Sequence, residues 1–370
     1  MWMKTTGALR VSLITVSHAW GAATVRPSEP TPPVELGRVH WGRDYQVAIK
    51  EARQFHKAIM VIFDEISGCA TCKKFGTGEL SHPIVIDASR EFVTLAIYNN
   101  RTGTDEQILQ LFNEPAWNNP GVRFIDANGQ DIIPRWDGIW TTGGLLKRMV
   151  QALEAANRPV PMYLSRVAFE YNPKHPQTAT FGMYCYWEGE KILGAIDGVL
   201  GTRIGLLDGR EVVDVKFDAA VIDYRTLVNT ASQRRCANPV VVRDESQDQI
   251  AKQVVDDRSI RRSNETVNTN TQQQYHLFHY PQYHYLSFTV LQATKVNAPL
   301  ALREDPQQSL SPGQIELKDR IEKIMAKNPI SVRDLNGAGI DRAELGLSAY
   351  AQRIERRVKH LETAEVAADK

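Results

Sequence analysis

The sequence predicts an α/β chain of α+β character, built as two successive α/β blocks and a helical tail. Three observations carry that reading. The apolar run Ala58-Ile-Met-Val-Ile-Phe63 reads as a buried strand, and Lys73-Lys74-Phe75 can open a helix just beyond it. From Val39 to Asn157, and again from Thr178 to Tyr224, helical and strand periods alternate, whereas the last seventy residues or so carry helical spacing alone. The expected divisions are 1–35 as a leader and Pro-rich linker, 36–157 and 162–300 as the two blocks, and 301–370 as the tail.

Composition narrows the function. A chain of 370 residues has room for two domains and a tail. With 44 basic and 43 acidic residues its charge is balanced, so neither nucleic acid nor an anionic membrane is an expected partner. No apolar run approaches the roughly 20 residues of a membrane span. Four cysteines are too few for a disulfide scaffold at this length, which favours catalytic use.

Residues 1–28 lack any acidic residue and offer Lys4 and Arg10, the apolar Val11–Val16, then small residues around Gly21–Ala23. Read as a secretory signal, this segment would send the chain to the periplasm or outside the cell; read as a plain extension, it leaves a cytoplasmic protein. The stretch Pro27–Pro33 reads as a semi-rigid linker.

Within the first block, Asp44–His56 carries Ala48, Ala52 and Phe55 at helical spacing. Phe92–Tyr98 is a second buried strand, and Asp105–Phe112 a short helix with Ile108, Leu109 and Phe112 on one side. Val122–Asp126, a turn at Asn128-Gly129 and Ile132–Arg135 read as a hairpin, and Gly144–Glu154 as a closing amphipathic helix. Between the first strand and its helix stands Glu65-Ile-Ser-Gly-Cys69-Ala-Thr-Cys72. A C-x-x-C at a helix start meets free backbone N–H groups and the positive end of the dipole, which stabilise a thiolate. Two intervening residues let one thiol attack a disulfide while the other closes the ring behind it. Half of a zinc site and a static disulfide are the alternatives, but zinc wants a second close ligand pair, and Cys185 and Cys236 stand alone.

This order of elements, with C-x-x-C after a strand, resembles the thioredoxin fold. The resemblance implies that Cys69 attacks and Cys72 resolves, and that Pro120, directly before a strand, is a cis-proline facing them on the substrate side. The family's usual Trp-Cys-Gly-Pro-Cys is absent, so potential and partner choice do not carry over.

The second block contains Tyr184-Cys185-Tyr186-Trp187-Glu188, helical spacing through Ile192, Leu193 and Ile196, then Gly198–Gly205, Asp208-Gly-Arg-Glu211, the strand Val212–Phe217 and a helix start near Asp223. It looks like the peptide methionine sulfoxide reductase A family, whose nucleophile lies in Gly-Cys-Phe-Trp-Gly. The resemblance implies Cys185 as nucleophile, Tyr186 and Trp187 as the pocket for the S-methyl group, and Glu211 as the acid. Reduction of a sulfoxide wants those types: a thiolate for the sulfur, an acid for the departing oxygen and aromatic faces for the thioether. The sulfenic acid left behind needs a second thiol, for which Cys236 is the candidate, flanked by Arg234 and Arg235 that would favour its thiolate. A lone cysteine on an α/β element is more often a small buried hydrophobe, and both Cys185 and Cys236 carry that alternative. Departures are plain: Tyr184 and Glu188 replace the flanking glycines, the loop before the acid is short, and no tyrosine stands at the family's position after Val-Gly. Tyr280, Tyr283 and Tyr285 are the candidates to donate to the sulfoxide oxygen instead.

Both blocks together resemble a bacterial family of thioredoxin-like (seleno)proteins, through the C-x-x-C, Leu80-Ser-His-Pro83 and Glu114-Pro-Ala-Trp-Asn118. The expectation is a thiol–disulfide oxidoreductase without cofactor or metal. Its partners would be an oxidised protein or peptide and an upstream thiol reductant, and its C-x-x-C would reduce a methionine-sulfoxide-reductase-like half. The alternative is a disulfide reductase whose second block is a non-catalytic client-binding module. His276, His279 and His284, irregularly spaced and without an acidic companion, read as packing rather than as metal ligands. Glu265–Gln274 reads as a loop, and Ser311–Lys327 and Asp341–Ala364 as amphipathic helices, Asp341 being a possible N-cap.

Overall fold

The strand β1, Ile59–Asp64, is buried at every position and organises the first sheet. Its odd and even side chains serve different layers, as the two-residue period of a strand requires. Ile59, Val61 and Phe63 pack against helices α1 (Tyr45–Phe55) and α4 (Thr104–Leu111), while Met60 and Ile62 face α2 (Ala70–Thr77), α3 (Pro83–Ser89), α5 (Thr142–Ala155) and α6 (Met162–Tyr171). In this computed structural model the described residues are 32–115, 120–135, 138, 140–269, 273–329, 332, 335 and 345–368. The proposed leader, Asp341 and residues 116–118 of the Glu114–Asn118 segment lie outside them. So does Asn119, and with it the geometry of the bond to Pro120.

Strand β2 (Val93–Tyr98) runs parallel to β1 with Ile59 opposite Val93, and β3 (Gly121–Ile125) runs antiparallel with Ile59 opposite Ile125. The expected hairpin partner of β3 does not form. A bridge joins Ile125 to Asp131, and Ile132 N–H still reaches Phe124 O at 2.9 Å, but Pro134 has no N–H with which to continue a ladder. Asp44 caps α1 by accepting from Gln46 and Val47 N–H, in keeping with its place before the apolar periodicity.

The second sheet has the order β8-β7-β4-β6-β5-β9, from β4 (Pro176–Gly182), β5 (Val199–Leu207), β6 (Arg210–Asp218), β7 (Val240–Val242), β8 (Ile260–Arg262) and β9 (Asn268–Thr269). β5 and β6 form a hairpin on the two-residue turn Asp208-Gly209, with φ of 48° and 73°. Positive φ at both turn residues matches the strands' right-handed twist, which is why Asp-Gly serves there. β9 adds a short strand inside the stretch read as a loop, pairing Thr269 with Gly205 and Asn268 with Leu206. Helices α7 (Tyr186–Gly194), α8 (Tyr224–Gln233) and α9 (Glu245–Lys252) contribute to the core beside this sheet, with Asp223 capping α8 through Thr226 N–H.

A third core is helical, drawn from two one-turn helices, α10 (Tyr275–Phe278) and α11 (Pro281–His284), with α12 (Val290–Ala301), α13 (Pro312–Lys327) and α14 (Leu347–Ala368). It is tied to the first block through Asp87 of α3, which accepts from the Ser311 hydroxyl and, at 3.1 Å, from Gly313 N–H. Among the described residues no helix is long and apolar enough to cross a membrane.

Candidate functional site

The first cluster of reactive groups stands where β1 gives way to α2. Cys69 is the N-cap of α2, exposed, and its sulfur accepts from Cys72 N–H at 3.5 Å. Cys72, one turn on, is wholly buried, and the two sulfurs lie 3.1 Å apart as free thiols. The hydrogen bond from the Cys72 thiol, then its N–H, holds the Cys69 thiol below its ordinary pKa. Burial pushes Cys72 strongly the other way, with Cys69 and Asp64 adding to it. One thiol is thus reactive and open to solvent, and the other is held in reserve.

Carboxylates surround this pair, and the motif spacing gave no sign of them. Asp64 ends β1 fully buried; its Oδ1 accepts from Glu65 N–H at 2.9 Å. Its Oδ2 is buried without a hydrogen-bond partner, and the Cys72 thiol is the neighbouring side chain that acts on the carboxyl group. Burial pushes Asp64 up to about 6. Glu35, also buried, accepts from Gly68 N–H at 2.8 Å and so pins the loop that carries Cys69. The Glu65 carboxylate lies with both sulfurs inside a 4.8 Å cluster, a third donor that spacing alone does not reveal. The segment holding Glu35 can approach α2 this closely because residue 76 is glycine: a Cβ there would sit 2.0 Å from Val34 O. The signal for Asp64 was a carboxylate closing an otherwise apolar strand.

Pro120 is buried directly before β3. Upstream of it, Glu114 is clamped by Arg123 at 2.7 Å and Arg135 at 2.5 Å, with Arg123 reaching Asp131 at 2.6 Å as well.

The second cluster forms at the start of α7. Cys185 is the N-cap, half-buried, and makes no side-chain cap. Glu211 at the start of β6 fills that role instead: its Oε2 accepts from Tyr186 N–H at 2.7 Å, and its carbonyl accepts from Met183 N–H at 2.8 Å. The acid expected from sequence and the residue after the expected nucleophile are therefore in direct contact. Cys236 follows α8, buried in the core beside α7, with its thiol against Arg234 O at 3.4 Å. Burial raises its pKa, and the Glu188 charge adds to that against Arg234 and Lys191. Contrary to the expectation from sequence, the flanking arginines do not make it a ready thiolate, because burial outweighs Arg234. Glu188 and Lys191 pair with each other at 2.6 Å on α7, so Cys236 lies within range of the helix that Cys185 begins.

Tyr186 packs beside Trp187, with ring centroids 5.5 Å apart. Trp187 is in turn stacked under Tyr275, with centroids at 3.9 Å and an 18° interplanar angle. From the sequence, Tyr280, Tyr283 and Tyr285 are the tyrosines expected to donate to the sulfoxide oxygen. Those residues belong to the helical core, where Tyr283 and Tyr285 are buried and the Tyr280 hydroxyl donates to Leu300 O at 3.4 Å. What brings Tyr275 instead is Glu190, buried on α7, whose carboxylate accepts from Gln274 N–H at 3.0 Å and Tyr275 N–H at 3.2 Å. Burial pushes Glu190 up to about 7. His276 and His279 pack around the Tyr275 ring, and His284 against Phe278.

Fold and clusters define an α/β half with a dithiol at its helix start, joined to a second α/β half with a cysteine–carboxylate site. Parts of the chain are similar to peptide methionine sulfoxide reductases. One, from Drosophila melanogaster, is 28% identical over 131 aligned residues, covering 29% of this chain and 53% of that protein. Another, peptide methionine sulfoxide reductase MsrA from Methanococcus maripaludis, is 32% identical over 69 residues, covering 14% of this chain and 44% of that one. The chain thus spans about half the length of the curated relatives it matches. No family model matches it. A solved DsbH oxidoreductase aligns over 36% of this chain and 96% of its own, at 18% identity and a TM-score of 0.28, a likeness too slight to bear on fold or function.

Proposed function

We propose that this protein is a thiol–disulfide oxidoreductase in which the Cys69–Cys72 dithiol regenerates a methionine-sulfoxide-reducing site at Cys185. Residues 36–157 supply the reductant, 162–300 the reducing site, and 301–370 a helical support. The observation that carries the reading is the 2.7 Å bond from Tyr186 N–H to Glu211, which sets an acid beside the start of the helix that Cys185 caps. The Cys185 thiolate attacks the sulfoxide sulfur while Glu211 delivers a proton to the oxygen, leaving a thioether and a cysteine sulfenic acid. The Cys236 thiol then displaces water from that sulfenic acid and closes a Cys185–Cys236 disulfide. Cys69 attacks this disulfide, and Cys72, losing its proton toward Asp64, resolves the mixed disulfide. An upstream thiol reductant finally reopens Cys69–Cys72. Pro120, Tyr186 and Trp187 are the residues assigned to the substrate.

Turnover of free and peptide-bound methionine sulfoxide by the wild type and Cys185→Ser tests this. The reading expects the variant to be inactive, and equal rates would remove the second half from the mechanism. One observation favours a second reading. Tyr275 already covers a face of Trp187, as it would in a module that binds clients without reducing them. Insulin reduction that survives Cys185→Ser and is lost in Cys69→Ser, with no sulfoxide turnover by the wild type, would select that alternative.

A further inference from the structure

A cleft of about 270 Å³ opens at the end of the second sheet, where β4 runs into Cys185. Met183 and Tyr184, the neighbouring Arg210 and Glu211, and Arg261 of β8 are among the residues that line it. Tyr184 is wholly exposed, an aromatic ring left open to solvent beside the nucleophile candidate. Glu211 belongs to the cleft and to the thiol cluster at once, through its bond to Tyr186 N–H. A chain lying in the cleft would therefore be continuous with whatever sits at Cys185.

The two arginines differ in state. Arg261 is paired with Asp208 in the β5–β6 turn. Arg210 is exposed and, among the described residues, has no carboxylate partner. It leads directly out of the Asp208-Gly209 turn, so its backbone is fixed at the cleft's edge while its guanidinium stays available. A guanidinium in that state offers a planar fork of donors that matches a carboxylate.

We propose that this cleft receives the residues flanking a methionine sulfoxide and selects peptides whose flanking side chains are carboxylates, held by Arg210 with Arg261 behind it. The proposal rests on the reading of Cys185 and Glu211 given above. A lysine-bearing peptide would meet like charge at Arg210, and an apolar one would make no use of it.

The test uses the full chain carrying Cys185→Ser and three blocked, labelled peptides with a central methionine sulfoxide flanked by Asp, Ala or Lys. Fluorescence anisotropy at low salt should give Asp-flanked peptide binding about twofold to fivefold tighter than Ala-flanked, with Lys-flanked weakest, as partly exposed ion pairs allow. Salt at about 0.5 M should collapse the order. Arg210→Glu should reverse it and Arg210→Lys should retain it in part. Equal binding of the three peptides, or an order unchanged in Arg210→Glu, overturns the proposal. Binding is read without turnover, so absence of sulfoxide reduction by the wild type would sink the reductase reading separately from this one.

Discussion

Replacing Asp64 by Asn removes a carboxyl group that β1 buries completely beside the Cys72 thiol. Burial raises its pKa from 3.8 to about 6. A raised carboxyl binds its proton more tightly folded than unfolded, so its contribution to stability is largest in acid and is lost as pH rises from about 4 through 6. A rise of that size corresponds to about 2–3 kcal/mol of destabilisation above pH 7. Asp64→Asn keeps the shape and cannot ionise. Urea unfolding of wild type and variant at pH 8 and pH 4 should therefore show the variant gaining about 2–3 kcal/mol at pH 8 relative to pH 4. The same change should slow disulfide reduction, because Cys72 loses the group that takes its proton. A variant with equal advantage at both pH values would mean that Asp64 is not a strained buried carboxylate and the proton route is wrong.

Iodoacetamide should alkylate Cys69 at pH values where Cys72 stays unmodified, read by peptide mapping; equal rates would contradict the split between exposed and buried thiols. Glu211→Gln should cut methionine sulfoxide turnover by about 100-fold or more, as loss of a general acid does, while leaving insulin reduction intact. Glu114→Ala should destabilise the fold by about 1.5–3 kcal/mol in urea, because it removes the buried acceptor shared by Arg123 and Arg135 while Arg123 keeps Asp131 and Phe112 O, and a loss under about 0.5 kcal/mol would refute the clamp. Tyr275→Ala should change Trp187 emission and, in the proposed reductase, open its face to substrate, read as a fall in KM. An unchanged KM would leave the stack without a role in binding.

Much of the fold was legible because strong local signals agreed with one another. The run from Ala58 to Phe63 reads as a buried strand, as β1 bears out, and the helix expected to open at Lys73 opens three residues earlier, at Ala70, with Cys69 as its cap. The helix starts expected at Asp44 and near Asp223 are found, with both aspartates serving as N-caps. The hairpin after β3 failed on Pro134, whose missing donor outweighs the alternation around it. Asp208-Gly209 carried an equally strong turn signal that strand periodicity alone does not exploit.

The sites divide the same way. Sequence motifs bring Cys69 to Cys72 and point to Glu211, but nothing local says that Glu190 fastens Tyr275 over Trp187, eighty-odd residues away in the chain. Likewise the spacing of Arg234 and Cys236 suggests a thiolate, yet burial, which only the packed core supplies, works in the opposite direction. Long-range contacts between groups of ordinary composition leave no periodic trace.

The most direct measurement is turnover on the chain's own four thiols, with no reductant added. Fully reduced protein is mixed with excess peptide methionine sulfoxide, quenched with an alkylating reagent and mapped by mass spectrometry. The account predicts two linked pairs, Cys185–Cys236 and Cys69–Cys72, two thioethers produced per chain, and none by Cys185→Ser. Cys185 and Cys236 recovered fully alkylated, whether or not Cys69 and Cys72 have joined, would contradict it.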